Sequence, residues 1–148
     1  MKRIIRFFIA KLYPFAKSIL YFLTPRGKGV KVLVFHKNKL LLIRNTYRKG
    51  WTFPGGGVKR NENYKQTAVR EVYEEVAIKV SNLRNHGLFT LDSCKSGKTV
   101  VFSCRTKTPN FKIDNFEIEK AMWVNIKEIS HFHLLPVAMQ SAKVLKLL

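Results

Sequence analysis

The feature that most constrains this sequence is a glycine run followed, a short distance along the chain, by a cluster of carboxylates. The glycines are residues 55–57, and the cluster consists of Glu71, Glu74 and Glu75. Spacings of three and four place side chains on one face of an α-helix. Because like charges at these spacings destabilise an isolated helix, the cluster indicates that a cation sits among the carboxylates.

The segment that carries the cluster also has the end signals of a helix. Asn63 and Gln66 have the spacing of a capping box, which predicts a helix from about Tyr64 to Val76. Apolar residues at spacings of three and four predict its core face, with the carboxylates on the opposite face. The predicted core face consists of Val69, Val72 and Val76.

Composition makes the carboxylate cluster more unusual. The chain has 28 Lys and Arg against 9 Asp and Glu, its net charge is +19, and its first acidic residue is Glu62. Oxygen ligands without clustered His or Cys suit a hard cation such as Mg²⁺ or Mn²⁺. Arg70 can pair with Glu74 four residues on and orient that carboxylate. The surrounding positive field favours anionic partners, namely nucleotides, nucleic acid or anionic lipid head groups.

Apolar and β-branched runs predict the rest of the domain. Strands are predicted at residues 30–35, 39–44, 51–53, 78–80, 88–91, 99–105 and 121–124, and a last helix at residues 136–147. This order of strands, helix, strands and helix predicts an α+β domain, an α/β/α sandwich with a mixed β-sheet between helices.

From Gly56 to Ile78 the sequence resembles the Nudix box, G-x5-E-x7-R-E-U-x-E-E-x-G-U, in which U is a bulky aliphatic residue. Every fixed position matches except Ala77, which stands where the family has glycine. That glycine ends the helix, often in a left-handed conformation, so alanine there is expected to cost about 1 kcal/mol. The resemblance continues through residues 51–57 and 117–129, and it covers residues 29–148.

The resemblance implies a Nudix fold, and a Mg²⁺- or Mn²⁺-dependent hydrolase that cleaves a phosphoanhydride bond in a nucleoside diphosphate-linked compound or a nucleoside triphosphate. By position, the metal ligands would be the carboxylates of Glu71, Glu74 and Glu75 and the backbone carbonyl of Gly56. Glu62 would either support the geometry of the loop and helix or assist the metal site from behind the ligands, and Arg70 would orient a carboxylate. The general base would be either a box glutamate or an outside carboxylate, with Glu117 the first candidate and Glu119 the second.

The N-terminal residues 1–28 lie outside the resemblance. Lys11 and Lys17 interrupt the apolar run of residues 1–24, so no stretch reaches the ~20 residues that a membrane span needs. The pattern predicts an amphipathic basic helix, bent or broken at Pro14. Two interpretations stay open: the helix lies on an anionic membrane, or it packs on the domain or on a second subunit of a homodimer. The expected location is the cytoplasm, either throughout it or at the inner face of the membrane.

Other residue patterns are less specific. Cys94 and Cys104 form neither a disulfide framework nor a zinc motif and are expected to be reduced thiols. His131 and His133, separated by one residue, favour a turn before the last helix over a metal site. Two interpretations, a nucleobase or phosphate pocket and a place in the core or a solvated loop, are equally open for Phe35, Arg44, Tyr47, Arg48 and Lys49.

Two functions compete with nucleotide hydrolysis. One is a non-catalytic binding module of the same fold that holds RNA or anionic membrane through its positive charge. The other is a membrane-attached hydrolase acting on a lipid diphosphate. The complete set of box glutamates favours an enzyme, since a module that only binds would not need them.

Overall fold

A mixed five-stranded sheet forms the centre of the computed structural model, which describes residues 27–90 and 97–148. The strands are β1 (Lys28–His36), β2 (Lys39–Asn45), β3 (Arg84–Thr90), β4 (Lys98–Arg105) and β5 (Ile118–Asn125). The helices are α1 (Tyr64–Val76) and α2 (Pro136–Val144), with a 3₁₀ helix at Ile126–His131. The sheet order is β3-β4-β1-β2-β5, in which β1 and β4 are parallel and the other pairs are antiparallel.

The glycine run lies inside this sheet, because β1 and β2 diverge after the turn that joins them. The two strands pair only beside that turn, and the segment 51–57 occupies the space between them. Val30 and Val32 of β1 donate their amide hydrogens to the carbonyls of Gly56 and Pro54, at 2.9 and 2.8 Å. The backbone of the glycine run is therefore fixed at the middle of the sheet.

Two apolar cores, one on each face of the sheet, confirm the predicted α/β/α layers. The core under α1 includes Val32, Leu41, Val72, Val76 and Phe102. The core under α2 includes Leu33, Leu42, Phe53, Ile129 and Ala138. Each fully buried side chain of this size stabilises the fold by roughly 1.5–3 kcal/mol, so both layers are well supported.

Helix α1 has the predicted ends, but its buried face differs from the prediction. The capping box is present, since Asn63 Oδ1 accepts from the Gln66 amide at 2.8 Å and the Asn63 amide donates to Gln66 Oε1 at 2.9 Å. Val69, predicted to be in the core, is 38% exposed. Glu71 and Glu75 are buried instead, because the glycine run beneath the helix has no side chains to occupy that space.

Several predicted strand boundaries were wrong. Residues 78–80 form no strand, although Ile78 is buried at the edge of the core, and residues 51–53 form isolated bridges. Strand β3 begins at Arg84, earlier than predicted, because its position depends on pairing with β4 and its own sequence has no apolar alternation. Strand β5 begins at Ile118, earlier than predicted, and α2 ends at Val144 instead of at residue 147.

Some predictions fall on parts of the chain outside the described residues. These are the helix within residues 1–24, its membrane or subunit contacts, and Cys94. In the described part of the chain, no helix is both long enough and apolar enough to cross a membrane. Cys104 is a buried thiol in β4, and burial raises its pKa to about 12, which agrees with a reduced and unreactive cysteine.

Candidate active site

Two carboxylates of α1 point at the glycine run. The Gly55 amide donates to Glu75 Oε2 at 3.0 Å. A Cβ built on Gly56 would lie 2.5 Å from Glu71 Oε1, which is closer than a side chain tolerates. At Gly55 the backbone φ is +145°, and a Cβ would overlap the Val30 carbonyl. Gly55 and Gly56 are therefore required sterically, since a side chain at Gly55 would overlap the β1 backbone and one at Gly56 would displace the Glu71 carboxylate.

Arg70 joins the loop and the helix through one guanidinium. It binds Glu62 in a bidentate manner, with Nε and Nη2 donating to the two carboxylate oxygens at 2.6 and 2.9 Å. Its Nη1 donates to Glu71 Oε1 at 2.7 Å and to Glu74 Oε2 at 3.0 Å, and Nη2 donates to the Gly57 carbonyl at 3.1 Å. The predicted pair of Arg70 and Glu74 is present, as part of a larger network.

Glu62 stabilises the junction between loop and helix. Hydrogen bonds from Arg70, and less strongly from Thr67, lower the pKa of Glu62 to about 2. Its Oε2 also accepts from Thr67 Oγ1 at 3.0 Å and from the Lys59 amide at 3.3 Å. The Glu62 carboxylate is therefore ionised, and its contacts are those of a support for Arg70.

A lysine that the sequence interpretation did not single out reaches the same loop. Lys31 of β1 donates from Nζ to the carbonyls of Phe53 at 2.9 Å and Gly55 at 3.4 Å. Burial lowers the pKa of Lys31, an effect that the charge of Glu75 opposes. Burial raises the pKa of Glu75 to about 8, against the influence of Lys31. A charged residue within the apolar run 30–35 was the signal that could have identified it.

The donor set fits a hard divalent cation. Glu71 and Glu75 are 7% and 2% exposed, and both face a loop of backbone carbonyls, so all the donors are oxygens. The Gly56 carbonyl accepts from the Val30 amide, and a carbonyl oxygen retains a second lone pair. Burial of two carboxylates is costly unless positive charge compensates for it, and a divalent ion would supply that charge.

Glu74 is placed differently from the other two box glutamates. Its side chain is 52% exposed, Arg70 holds one oxygen, and Lys59 Nζ lies 3.7 Å from the other. Within residues 27–90 and 97–148, no three acidic, histidine or cysteine side chains converge in a ready-made metal site. For Glu74 to join Glu71 and Glu75 as a ligand, its side chain would have to turn inward.

A cleft of about 770 Å³ lies at the end of β2 and the loop that follows it. Residues 46–51 form one wall, and residues 131–133 form the other. Tyr47 Oη donates to Glu117 Oε1 at 3.4 Å, and the charge of Glu117 acts on both Glu75 and Lys31. Glu117 therefore contacts a residue of the cleft and also acts electrostatically on the carboxylate site.

The two candidate bases outside the box have different partners. Glu119 is bound by Arg44 through two hydrogen bonds of 3.0 and 2.9 Å and lines the cleft, whereas Glu117 accepts a hydrogen bond from Tyr47. Arg44 also lies over the Trp51 ring, 5.6 Å from its centroid.

The predicted pocket residues are mostly brought together, with one exception. Arg44, Tyr47, Arg48 and Lys49 all line the cleft. Phe35 does not line the cleft and takes the other open interpretation, because it shares the face of β1 that packs in the core under α2. His131 and His133, interpreted only as part of a turn, also line the cleft.

Comparison with known proteins identifies the family. The model of the NUDIX domain matches residues 25–148. The chain belongs to the Nudix family. Its structure resembles the NUDIX domain of Shewanella oneidensis NrtR complexed with ADP ribose, with a TM-score of 0.72 and 16% identity over 83% of this chain and 88% of that one. A MutT Nudix hydrolase from Burkholderia pseudomallei gives a TM-score of 0.68 at 17% identity, over 83% of this chain and 99% of that one.

Two curated relatives match this chain over only part of their own length. The m7GpppN-mRNA hydrolase of Saccharomyces cerevisiae is 31% identical over 107 residues, which are 70% of this chain and 11% of that protein. The RNA pyrophosphohydrolase of Hydrogenovibrio crunogenus is 38% identical over 53 residues, which are 36% of this chain and 32% of that protein. The chain thus spans less than a third of the length of either relative.

Ala77, the one residue that departs from the Nudix box, lies at the C-terminal end of α1. Ala77 has φ 55° and ψ 26°, the left-handed conformation that the family's glycine favours, and its amide donates to the Tyr73 carbonyl. The helix therefore ends as a Nudix helix does, at the cost of a strained alanine.

Proposed function

We propose that this chain is a divalent-metal-dependent Nudix hydrolase that cleaves a phosphoanhydride bond in a nucleoside diphosphate-linked compound or a nucleoside triphosphate. The observation that carries the proposal is the burial of Glu71 and Glu75 against the glycine run, with Arg70 tying the helix to the loop. Such a buried arrangement of like charges is unfavourable for a fold by itself and is useful for holding a cation.

The proposed ligands of Mg²⁺ or Mn²⁺ are the carboxylates of Glu71, Glu74 and Glu75 and the carbonyl of Gly56. When bound, the ion would neutralise charge on the phosphates and lower the pKa of a coordinated water. Arg70 holds Glu71, so that this carboxylate needs less reorganisation on binding, whereas Glu74 would have to leave its bond with Arg70 and turn inward. Glu62 holds Arg70 in turn.

Glu117 is the proposed general base. It contacts Tyr47, which lines the cleft, and its charge acts on Glu75 of the carboxylate site. Tyr47 donates a hydrogen bond to it and so fixes the orientation of the carboxylate. A box glutamate is the alternative base, and substitution of Glu117 distinguishes the two, since only a base outside the box makes that variant inactive while it still binds metal.

The cleft supports a substrate with an anionic and an aromatic part. Arg48 and Lys49 supply positive charge, while Tyr47, Trp51 and Phe132 supply aromatic surface. Phosphates bind arginine and lysine, and nucleobases stack on aromatic rings. Relatives named for hydrolysis of mRNA caps, RNA and 8-oxo-dGTP favour a nucleotide or an RNA 5′ end.

The cellular setting is proposed from the sequence. The chain is expected to act in the cytoplasm, with residues 1–24 as a contact for an anionic membrane or for a second subunit. Liposome co-sedimentation and size-exclusion chromatography, each with and without residues 1–24, test these contacts. If the protein with residues 1–24 and the protein without them behave equally in both experiments, this segment makes neither contact.

The test of the function is release of phosphate and nucleotide from a panel of nucleoside di- and triphosphate compounds, with Mg²⁺, Mn²⁺ or EDTA. Wild type is compared with Glu75→Gln, which keeps the acceptor for the Gly55 amide and removes the charge. The matched control is Glu128→Gln, an exposed glutamate of the 3₁₀ helix. Metal-dependent turnover is expected in wild type and the control, and a loss of at least about 100-fold in Glu75→Gln.

Two other results would contradict different parts of the proposal. Turnover that is equal in Glu75→Gln would contradict the proposed site. Absence of turnover on the whole panel, from folded protein that binds Mn²⁺, would favour a lipid diphosphate substrate or a module that binds RNA or anionic membrane.

A further inference from the structure

Acidic residues are unevenly distributed over the fold. The chain has nine of them; Asp92 lies outside the described residues, and seven of the other eight lie in residues 62–75 and 114–119. Both segments adjoin the end of the sheet where β1 begins and β2 ends. The eighth is Glu128, in the 3₁₀ helix. The opposite end of the sheet, at the turn between β1 and β2, is therefore poor in negative charge.

Exposed cations meet at that turn. Backbone contacts bring three parts of the chain together there: Arg105 Nη1 donates to the Lys37 carbonyl at 3.1 Å, and the Ile126 amide donates to the Asn38 carbonyl at 3.0 Å, which places Lys127 beside the turn. The turn patch is defined as the exposed residues Lys37, Lys39, Arg105 and Lys127. In the part of the chain that the structure describes, no carboxylate forms an ion pair with any of the four.

Arg105 is held in place at the turn and retains free donors. Its guanidinium lies over the Phe35 ring, 5.7 Å from the centroid, and Nη1 bonds the Lys37 carbonyl. Within residues 27–90 and 97–148, its other N–H groups donate to no acceptor. A guanidinium has five N–H donors in one plane, so Arg105 can bind a phosphate while it stays attached to the turn.

Lys37 occupies a backbone position that suits other residues better. Its φ is 52°, in the left-handed region that glycine and asparagine adopt more easily than lysine does. The turn would form with less strain if one of those residues were present. What the lysine adds to the turn is therefore its charge.

Aromatic surface adjoins the turn patch. The partly buried rings of His36 and Trp123 lie with their centroids 5.8 Å apart. Cations beside aromatic rings are features with which proteins bind single-stranded nucleic acid, the cations contacting phosphates and the rings contacting bases. A membrane surface would favour exposed large apolar side chains, and among the described residues none of these belongs to residues 35–39, 104–106 or 123–127.

We propose that the turn patch binds single-stranded nucleic acid through its phosphates. Six residues of β1 separate His36 from Val30, whose amide bonds the glycine run, and at 3.3 Å per residue the separation is roughly 20 Å. Nucleic acid bound at the turn patch therefore leaves the carboxylate site open. Binding there goes beyond the proposed hydrolysis and requires neither metal nor turnover.

The test is binding of a fluorescein-labelled single-stranded RNA of about 12 nucleotides, measured by fluorescence anisotropy in EDTA over a range of salt concentrations. The RNA carries a 5′ hydroxyl, so it has no phosphoanhydride bond to cleave, and failure of the proposed hydrolysis would not change the result. Wild type is compared with a patch variant that combines Lys37→Asn, Lys39→Gln and Lys127→Gln. Asparagine suits the left-handed backbone of the turn, so this variant removes three charges with little disturbance of the fold.

The matched control combines Lys28→Gln, Lys65→Gln and Lys98→Gln. It removes the same charge from exposed positions outside the turn patch. At about 0.1 M salt, the patch variant is expected to bind the RNA at least about tenfold more weakly than wild type, and the control to stay within about threefold. The slope of log K against log salt should fall by about 2 in the patch variant, since each phosphate contact in a single strand contributes about 0.7.

Three results would overturn the proposal. Equal losses in the patch variant and the control would show that binding follows net charge and not the turn patch. The second is absence of RNA binding by wild type. The third is binding to phosphatidylserine vesicles that the patch variant loses while it keeps RNA binding, which would assign the turn patch to a membrane.

Lys127→Gln alone gives a second measurement that leaves the turn itself unchanged. It should lower the salt slope by about 0.7 and still fold if the patch variant folds poorly. A slope equal to that of wild type would remove Lys127 from the contact with phosphate and contradict the proposed patch.

Discussion

The carboxylate site and the cleft are built in different ways. In the site, one arginine contacts Glu62, Glu71, Glu74 and the Gly57 carbonyl, all within one short stretch of the chain. In the cleft, Arg44 bonds Glu119 and Tyr47 bonds Glu117, so each contact joins segments far apart in sequence. The relative positions of the box side chains therefore follow from the spacing of residues within one segment. The shape of the cleft proposed to bind the substrate depends on how the whole chain folds.

The largest expected difference between the two regions is in stability. Arg70→Ala removes the partner of buried carboxylates and should lower the free energy of unfolding by about 2–4 kcal/mol. Arg44→Ala breaks a pair whose side chains are 29% and 47% exposed and should cost less than about 1 kcal/mol. Urea unfolding of both variants measures these losses of free energy of unfolding. Equal losses would show that the two regions do not differ in their contribution to stability.

For substrate affinity, in contrast to stability, a clear effect is expected from a substitution in the cleft. Lys49→Gln removes an exposed cation of the cleft and is expected to raise KM for a nucleotide substrate about 3–10-fold, with kcat within about twofold of wild type. The control is Lys107→Gln, an exposed lysine after β4 that does not line the cleft. Steady-state kinetics at two salt concentrations measures both, and a fall in kcat alone would assign Lys49 to the chemical step.

The end of α1 gives the smallest predicted effect. Ala77→Gly places glycine in the left-handed conformation that Ala77 already has, and should raise the free energy of unfolding by about 0.5–1 kcal/mol. Ala68→Gly is the matched change inside the same helix, at a buried position, and should be destabilising. If Ala77→Gly is destabilising as well, the cost assigned to the alanine is wrong.

Much of the site could be predicted because its signals are local. The capping box of Asn63 and Gln66 located the start of α1, and the spacing of Arg70 and Glu74 gave their ion pair. The side of the helix that faces the sheet could not be read in the same way. Val69 and Glu71 lie on nearly opposite faces of α1, and only the position of the side-chain-free glycine run decides that Glu71 is buried.

Other features depend on long-range packing, which no local pattern reports. Phe35 and Lys31 both occur in the apolar run of β1, yet one packs under α2 and the other reaches the loop at Gly55. Residues 78–80 have the apolar composition of a strand but have no pairing partner in the described fold. The cleft residues 131–133 approach Arg48 only after the chain has closed around the sheet.

The central claim is that a divalent ion binds between Glu71, Glu75 and the glycine run. The most direct test is an anomalous difference map from a crystal soaked in Mn²⁺, recorded at the manganese absorption edge. We predict a peak within coordination distance of the carboxylate oxygens of Glu71 and Glu75, and none in a crystal of Glu75→Gln. A peak at His131 and His133 instead, with the carboxylates unoccupied, would contradict the account.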